Sequence, residues 1–312
     1  MLSMFKELVK QPYWVIALIL GVILVILPCI TIDKDFRLAT HPPHPFFLAG
    51  VGLTLLLLSS IGFAFTLLST RSSNLGTGLD FTRVKEDRGA QWTTVSGCEI
   101  RVVNGRLEDH AHDASITVVL PCNEYFDDQC AGDTKSALGA YVNRVFEGQA
   151  EPFVNLARDE CQRKLGPGAE QQKTDDERAQ SFGAGRCVLL VKPLGRSVSV
   201  ALVSTTIQRA GLGLAARISY LFDGMRELVA RLADARLNEV TMPLLGAGHG
   251  GIAPPLALVG LLLAVAEAAR YGQGGQRLRR VTVVVFKRDA DSPAEVDPVV
   301  VRRALALIAS PG

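Results

Sequence analysis

The chain has 312 residues, and 33 Lys and Arg stand against 31 Asp and Glu, a net charge of +2. That balance argues against a dedicated nucleic-acid binder, which carries a basic excess or stripe. Ordinary Gly and Pro content, 29 and 15, excludes collagen-like and low-complexity chains, and six cysteines with neither a Cys-x-x-Cys pair nor regular spacing exclude a disulfide scaffold and a zinc ribbon. Hydrophobic residues make up 48% and the mean hydropathy is +0.24, high for a soluble protein, so some local segment carries the excess.

That segment is N-terminal. After a short cytosolic stretch, 1–12, the run Tyr13–Ile32 has no charged residue, and neither has Phe46–Leu68. A helix crossing the roughly 30 Å hydrocarbon core needs about 20 apolar residues. Both runs are long enough, and the first exceeds a signal-peptide core and has no small-residue cleavage site after it. The reading is a transmembrane hairpin over 13–68. In the connecting loop Lys34 and Arg37 are offset by Asp33 and Asp35, whereas Lys6, Lys10, Arg71, Arg83, Lys85 and Arg88 flank the spans. Positive residues favour the cytoplasmic side, so both termini are expected in the cytoplasm and the protein in the inner (cytoplasmic) membrane. The later cysteines are then reduced thiols. On the second span Gly52, Ser59 and Thr66 recur every seven residues, with Gly62 and Ser69 on the adjoining positions of the same face. Small residues on one face let membrane helices approach closely, either within the hairpin or between protomers.

Residues 69–94 are polar and read as a linker. Beyond them lie about 220 residues, the size of one domain. Apolar runs at Cys98–Val103, Ile116–Pro121, Cys187–Val191, Val198–Thr205, Glu239–Leu244 and Val281–Phe286 read as strands. Ala137–Phe146, Phe153–Leu165, Leu214–Asp234, Leu256–Tyr271 and Val299–Ile308 read as helices, the fourth as a core helix because its apolar run is too short to span a bilayer. The charged, Gly-containing stretch Gly166–Gly185 reads as a mobile insertion. Continuous Val/Ile/Leu strands between helices imply a sheet covered on both faces, an α/β fold of three layers.

In such folds ligands sit beyond the carboxyl ends of the strands. Two strand ends stand out. One is Pro121-Cys122-Asn123-Glu124-Tyr125-Phe126-Asp127-Asp128. The other is Leu245-Gly246-Ala247-Gly248-His249-Gly250-Gly251, followed by a helix. Closely spaced glycines let backbone N–H groups approach a phosphate, and the helix N-terminus favours an anion. The loop lacks the Gly-Lys-Ser/Thr of a Walker A motif and does not follow the first strand of its unit as a dinucleotide fingerprint does. A tight turn without a ligand is the plainer alternative.

Single residues carry two readings each. Asn123 either touches ligand or closes an Asx turn. Asp127 and Asp128 either bond ribose hydroxyls or form a solvated acidic turn. His249 contacts phosphate or closes over the ligand; a general-base role has no visible nucleophile or orienting partner. His110 and His112 have no third ligand at usable spacing and read as a surface turn, so no metal is expected. Cys122 reads as a small buried residue, with no flanking charge to lower its pKa.

The segment VTMPLLGAGHGGI, with its following apolar helix, resembles the second ligand loop of macro domains, and ITVVLPCNEYF resembles the strand and Asn-bearing first loop of that fold. A two-span hairpin ahead of such a domain resembles the membrane effector of Thoeris antiphage defence. The resemblance implies a three-layer α/β/α macro-like domain with a mixed sheet over 95–312. It further implies an ADP-ribose-derived ligand, such as histidine–ADP-ribose, made by a TIR-domain NAD-consuming partner. Asn123, Asp127, Asp128 and residues Gly246, Ala247, Gly248, His249, Gly250 and Gly251 would hold it, and binding would drive homo-oligomerisation and membrane disruption. Two departures from the family pattern stand out. The Asp of its Gly-Asp-Ile segment, which reads adenine in the family, falls at Arg106, so that either Asp113 or Glu108 substitutes or adenine is held differently, and CAGDTKSALGAY, 130–141, replaces its Gly-Gly-Gly run. The missing glycine run favours binding over hydrolysis, so an enzyme is not expected. A membrane-tethered ADP-ribosyl hydrolase and a passive membrane-anchored ADP-ribose-binding module are the competing functions.

Overall fold

The computed structural model describes residues 79–110, 114–127, 131–174, 177–209, 213–271, 277–289 and 291–309. The expected hairpin over 13–68, all of residues 1–78, and also Asp113 and Asp128, lie outside the described residues. The chain divides into two units, Met1–Gly78 and Leu79–Gly312, and the description concerns the second.

Eleven strands and five α-helices alternate along the described part: β1 (Lys85–Asp87), β2 (Ala90–Val95), β3 (Cys98–Gly105), β4 (Thr117–Asn123), α1 (Ala137–Val145), α2 (Ala150–Leu165), β5 (Ala169–Gln172), β6 (Arg178–Ser181), β7 (Cys187–Leu190), β8 (Ser199–Arg209), β9 (Gly213–Ala216), α3 (Ile218–Asp234), β10 (Glu239–Pro243), α4 (Pro254–Tyr271), β11 (Arg280–Phe286) and α5 (Pro298–Ala309). The main sheet has the order β1-β2-β3-β11-β10-β4-β8-β7, with β9 paired to β8. Its five central strands, β3 to β8 in that order, are parallel. Both margins are antiparallel, so the sheet is mixed.

Alternation along each strand divides the core in two. Val119, Ala201, Val203, Val281 and Val283 face one way and pack with Leu221, Leu228, Leu258, Leu261 and Leu305 of α3, α4 and α5. Val118, Leu120, Val200, Leu202 and Val284 face the other way and meet Leu138, Tyr141, Phe153 and Ala157 of α1 and α2. The result is a three-layer α/β/α sandwich. It explains why the central strands are apolar without a break, since each side chain meets a helix on its own face. Among the described residues, α4 is the helix long and apolar enough to cross a bilayer. Its Ala257, Leu258, Leu261, Leu262 and Val265 are buried in the core, in keeping with the core-helix expectation.

Three stretches hold strands that the sequence does not announce. The folded unit begins at Leu79, not residue 95, because β1 and β2 extend the sheet across the stretch expected to be linker. Residues 166–185, expected as a mobile insertion, contain the antiparallel hairpin β5–β6. The helix expected from Leu214 begins at Ile218, because Gly213–Ala216 pairs with the end of β8.

Candidate functional site

A cleft of about 520 Å³ opens along the carboxyl ends of the parallel strands. Gly105 of β3, Phe286 of β11, Pro243 of β10, Pro121 and Cys122 of β4, and Thr205 and Thr206 of β8 form its floor. Five adjacent strands at about 4.8 Å spacing give a trough roughly 19 Å long. That length suits an extended ligand better than a single phosphate or sugar.

Two loops stand over this floor. The glycine loop between β10 and α4 contributes Gly246, Ala247, Gly248, His249 and Gly250. Its N–H groups divide sharply. Those of Gly250, Gly251 and Ile252 donate back to Ala247, Gly248 and Gly246, closing the loop on itself. Among the described residues, those of Ala247, Gly248 and His249 donate to no protein acceptor. Successive backbone N–H groups of this kind can serve an anion where they converge on one point. Gly248 has φ +62° and nothing within 4 Å of where a Cβ would stand, so a side chain there would enter open space. Gly250 is required for packing instead: a Cβ would come within 2.8 Å of Ala216 Cβ and 3.2 Å of Thr206 Cγ2.

The second loop precedes α1 and contributes Thr134, Lys135 and Ser136. Ser136 caps the helix, its Oγ accepting from Gly139 N at 2.9 Å. The α1 N-terminus and Lys135 therefore stand where the glycine run is missing from the sequence. Asp133 Oδ1 accepts from Lys135 N at 2.9 Å, and Asp133 Oδ2 lies 3.5 Å from His249 Nε2, so this loop and the glycine loop touch. At the β3 and β11 end the lining includes Glu108, Phe286, Arg288 and Glu295. Of the two acids weighed as substitutes for the family's Asp, Glu108 lines the cleft.

The expected site residues fall into separate groups. Gly246 to Gly250 line the cleft together, while Gly251 closes the turn behind them with φ +75°. Asn123 and Asp127 are buried outside the cleft lining. Asn123 Oδ1 accepts from Tyr125 N at 3.1 Å, the Asx turn weighed from sequence, and its Nδ2 donates to Asp127 Oδ1 at 3.0 Å. Asp127 then pairs with Lys173 Nζ at 2.9 Å. Lys173 follows β5, so this chain of contacts fastens the β5–β6 hairpin beside the end of β4. Cys122 is buried, as expected, and lines the floor. Burial pushes the Cys98 and Cys161 thiols up to about 12, so neither is a nucleophile at neutral pH. Among the described residues no group of three or more His, Cys, Asp or Glu side chains is arranged to hold a metal ion.

The lining residues not anticipated from sequence, Thr134, Lys135, Thr205, Thr206, Phe286, Arg288 and Glu295, share no motif. The sheet order, which places β4 beside both β10 and β8, brings together the strand ends that carry Thr205, Thr206 and Phe286 and the loops that carry the rest.

No family model matches the chain, and no curated protein matches it. Among solved structures the chain is similar to an Oceanobacillus iheyensis macrodomain with MES bound, at 12% identity and a TM-score of 0.46, over 70% of this chain and 96% of that one. It is also similar to the macrodomain of Thermus aquaticus DarG, at 20% identity and a TM-score of 0.40, over 60% and 99%. A third is the Trypanosoma brucei macrodomain in complex with ADP-ribose, at 15% identity and a TM-score of 0.38, over 59% and 63%.

Proposed function

We propose that the domain is a macro-like receptor for an ADP-ribose-derived ligand and that the whole chain is a membrane effector of antiphage defence. The observation that carries the binding reading is the row of unspent N–H groups at Ala247, Gly248 and His249 beside a trough crossing five strand ends. A diphosphate satisfies those donors. The trough extends on both sides of them, giving room for a group at each end. Phe286, half exposed in the lining, offers a flat apolar face for a ring, and Glu108 and Glu295 offer acceptors for an amino group.

The remaining parts rest on the sequence resemblance. They are an N-terminal hairpin in the membrane, a signal such as histidine–ADP-ribose from a TIR-domain partner, and ligand-driven assembly that disrupts the bilayer. Binding without turnover belongs to the same reading, since Thr134-Lys135-Ser136 stands where hydrolytic relatives of the fold place glycines. A ligand shifts assembly only through its different affinity for the two states, and hairpins gathered on one platform gain effective concentration. The test is crosslinking of the full-length chain in membranes, with and without histidine–ADP-ribose, alongside dye leakage. Ligand-dependent oligomers and leakage that both vanish in Gly248→Val support the proposal. A chain that stays monomeric in intact membranes at saturating ligand overturns the effector reading.

A further inference from the structure

We infer that the outward face of α5 rests on an anionic lipid surface, a membrane contact made by the folded domain itself. The inference rests on the membrane reading of the chain and goes beyond it. On its inner side α5 buries Val301, Ala304, Leu305 and Ile308 in the core. Its outer side carries Val299, Arg303 and Leu307 at i, i+4 and i+8, within about 80° of arc. Val299 is 56% exposed and Leu307 44%, with Arg303 exposed between them. Arg302 flanks the row, its guanidinium 5.8 Å from the centroid of the Phe81 ring. Among the described residues neither arginine pairs with a carboxylate. The acids at the margins are engaged: Asp297 accepts from Val299 N at 2.7 Å, and Asp80 holds Arg83 at 3.1 Å.

The folded unit begins beside this face. Phe81–Arg83 is a short 3-10 helix packed on α5, and Arg83 Nη1 donates to the Ala309 carbonyl at 2.9 Å. Only residues 69–78 lie between the expected end of the second span and Leu79, a reach of at most about 40 Å. Exposed aliphatic side chains among unpaired arginines suit the boundary of a bilayer. The guanidinium groups take lipid phosphates, while their stems, Val299 and Leu307 enter the headgroup layer. Four side chains fall far short of the roughly 20–30 residues a side that a stable protein interface uses. A tethered face needs no such area, because the tether keeps it at high local concentration. Domains held the same way up on one surface also meet already aligned, which lowers the cost of assembly.

The test reconstitutes the full-length chain in vesicles of phosphatidylcholine, alone or mixed with phosphatidylglycerol. Benzoylphenylalanine, a photocrosslinking amino acid, replaces Leu307 or, as a control, Leu156, which is 39% exposed on α2 in the opposite layer. Lipid adducts are counted by mass spectrometry after illumination. The expected result is lipid capture at position 307 in the anionic vesicles and little at position 156. Arg302→Glu with Arg303→Glu should cut capture at 307 by at least about fivefold, the worth of roughly one basic charge at an anionic surface, and high salt should act the same way. Should the double variant melt below wild type, Arg303→Gln is read by the same criterion. Equal capture at the two positions, or capture at 307 indifferent to lipid charge and to the arginines, overturns the inference. So does crosslinking of position 307 to a second copy in place of lipid, which makes the face a protein interface. A chain that floats with the vesicles without lipid capture at 307 sinks this inference alone. A wild type that does not float with vesicles of either kind removes the membrane reading, and the inference with it.

Discussion

The Asn123 side-chain amide donates to Asp127 Oδ1 at 3.0 Å, and Asp127 Oδ2 is 2.9 Å from Lys173 Nζ, with only 4% of the Asp127 side chain and 12% of the Lys173 side chain exposed. Two residues that sequence places among ligand contacts are thus tied to each other and to a distant hairpin. Asp127→Ala should leave Lys173 almost buried without its main partner, at a cost of about 3 kcal/mol in unfolding free energy. Urea denaturation measures it. A variant as stable as wild type but unable to bind ligand would favour the ligand-contact reading of Asp127 instead.

The two cleft glycines predict opposite phenotypes. Gly250→Ala drives a methyl into Ala216 and Thr206 and should lower stability by about 1–3 kcal/mol, read as a lower melting temperature. Gly248→Ala meets nothing but takes a left-handed φ of +62°, a cost of about 1 kcal/mol, and its main effect should appear in ligand affinity. Matched melting curves and titrations separate the two. Equal losses of stability in both variants would contradict the packing assignment.

Legibility from sequence divides along physical lines. Val118-Val119-Leu120 and the α4 run are apolar because both of their surroundings are protein, and composition alone exposes that. The strands β1 and β2 escape notice because Lys-Glu-Asp is an exposed edge and Ala-Gln-Trp-Thr-Thr-Val half exposed. Their signal lies in the loops. Arg88-Gly89 and Ser96-Gly97 both have positive φ, the geometry of two-residue hairpin turns. The strand β9 is hidden because Leu214, Ala215 and Ala216 are helix formers leading into a helix, and pairing with β8 overrides that preference. The glycine loop is legible because its chemistry is local. Lys135 and Phe286 are not, because their nearness to it depends on strand order.

Glu124 gives a pH signature. Burial pushes its carboxyl above the usual glutamate range, although both oxygens accept from Gln208 N, at 2.8 and 3.1 Å. The folded state therefore holds this proton where the unfolded chain has released it. The contribution of Glu124 to stability is lost as pH rises from the ordinary glutamate pKa through the raised one. Glu124→Gln should remove that loss, so the variant gains on wild type as pH climbs through this window. Denaturation at a series of pH values checks it, and a constant difference between the two proteins would rule it out.

Binding without consumption is tested by incubating stoichiometric full-length protein with ADP-ribose and with histidine–ADP-ribose, then analysing the ligand by mass spectrometry. The ligand should be recovered intact. Many turnovers per protein, absent from Gly248→Val, would make the chain an enzyme.

The central claim is that the glycine loop holds a diphosphate. Calorimetric titration of ADP-ribose into the full-length chain in detergent, wild type beside Gly248→Val, tests it most directly. Wild type should bind saturably, and the variant, still folded by its melting curve, should lose at least about tenfold in affinity, since each charge-assisted backbone bond is worth about 1.5–3 kcal/mol. Absence of saturable binding by wild type, or equal affinity in the folded variant, would contradict the account.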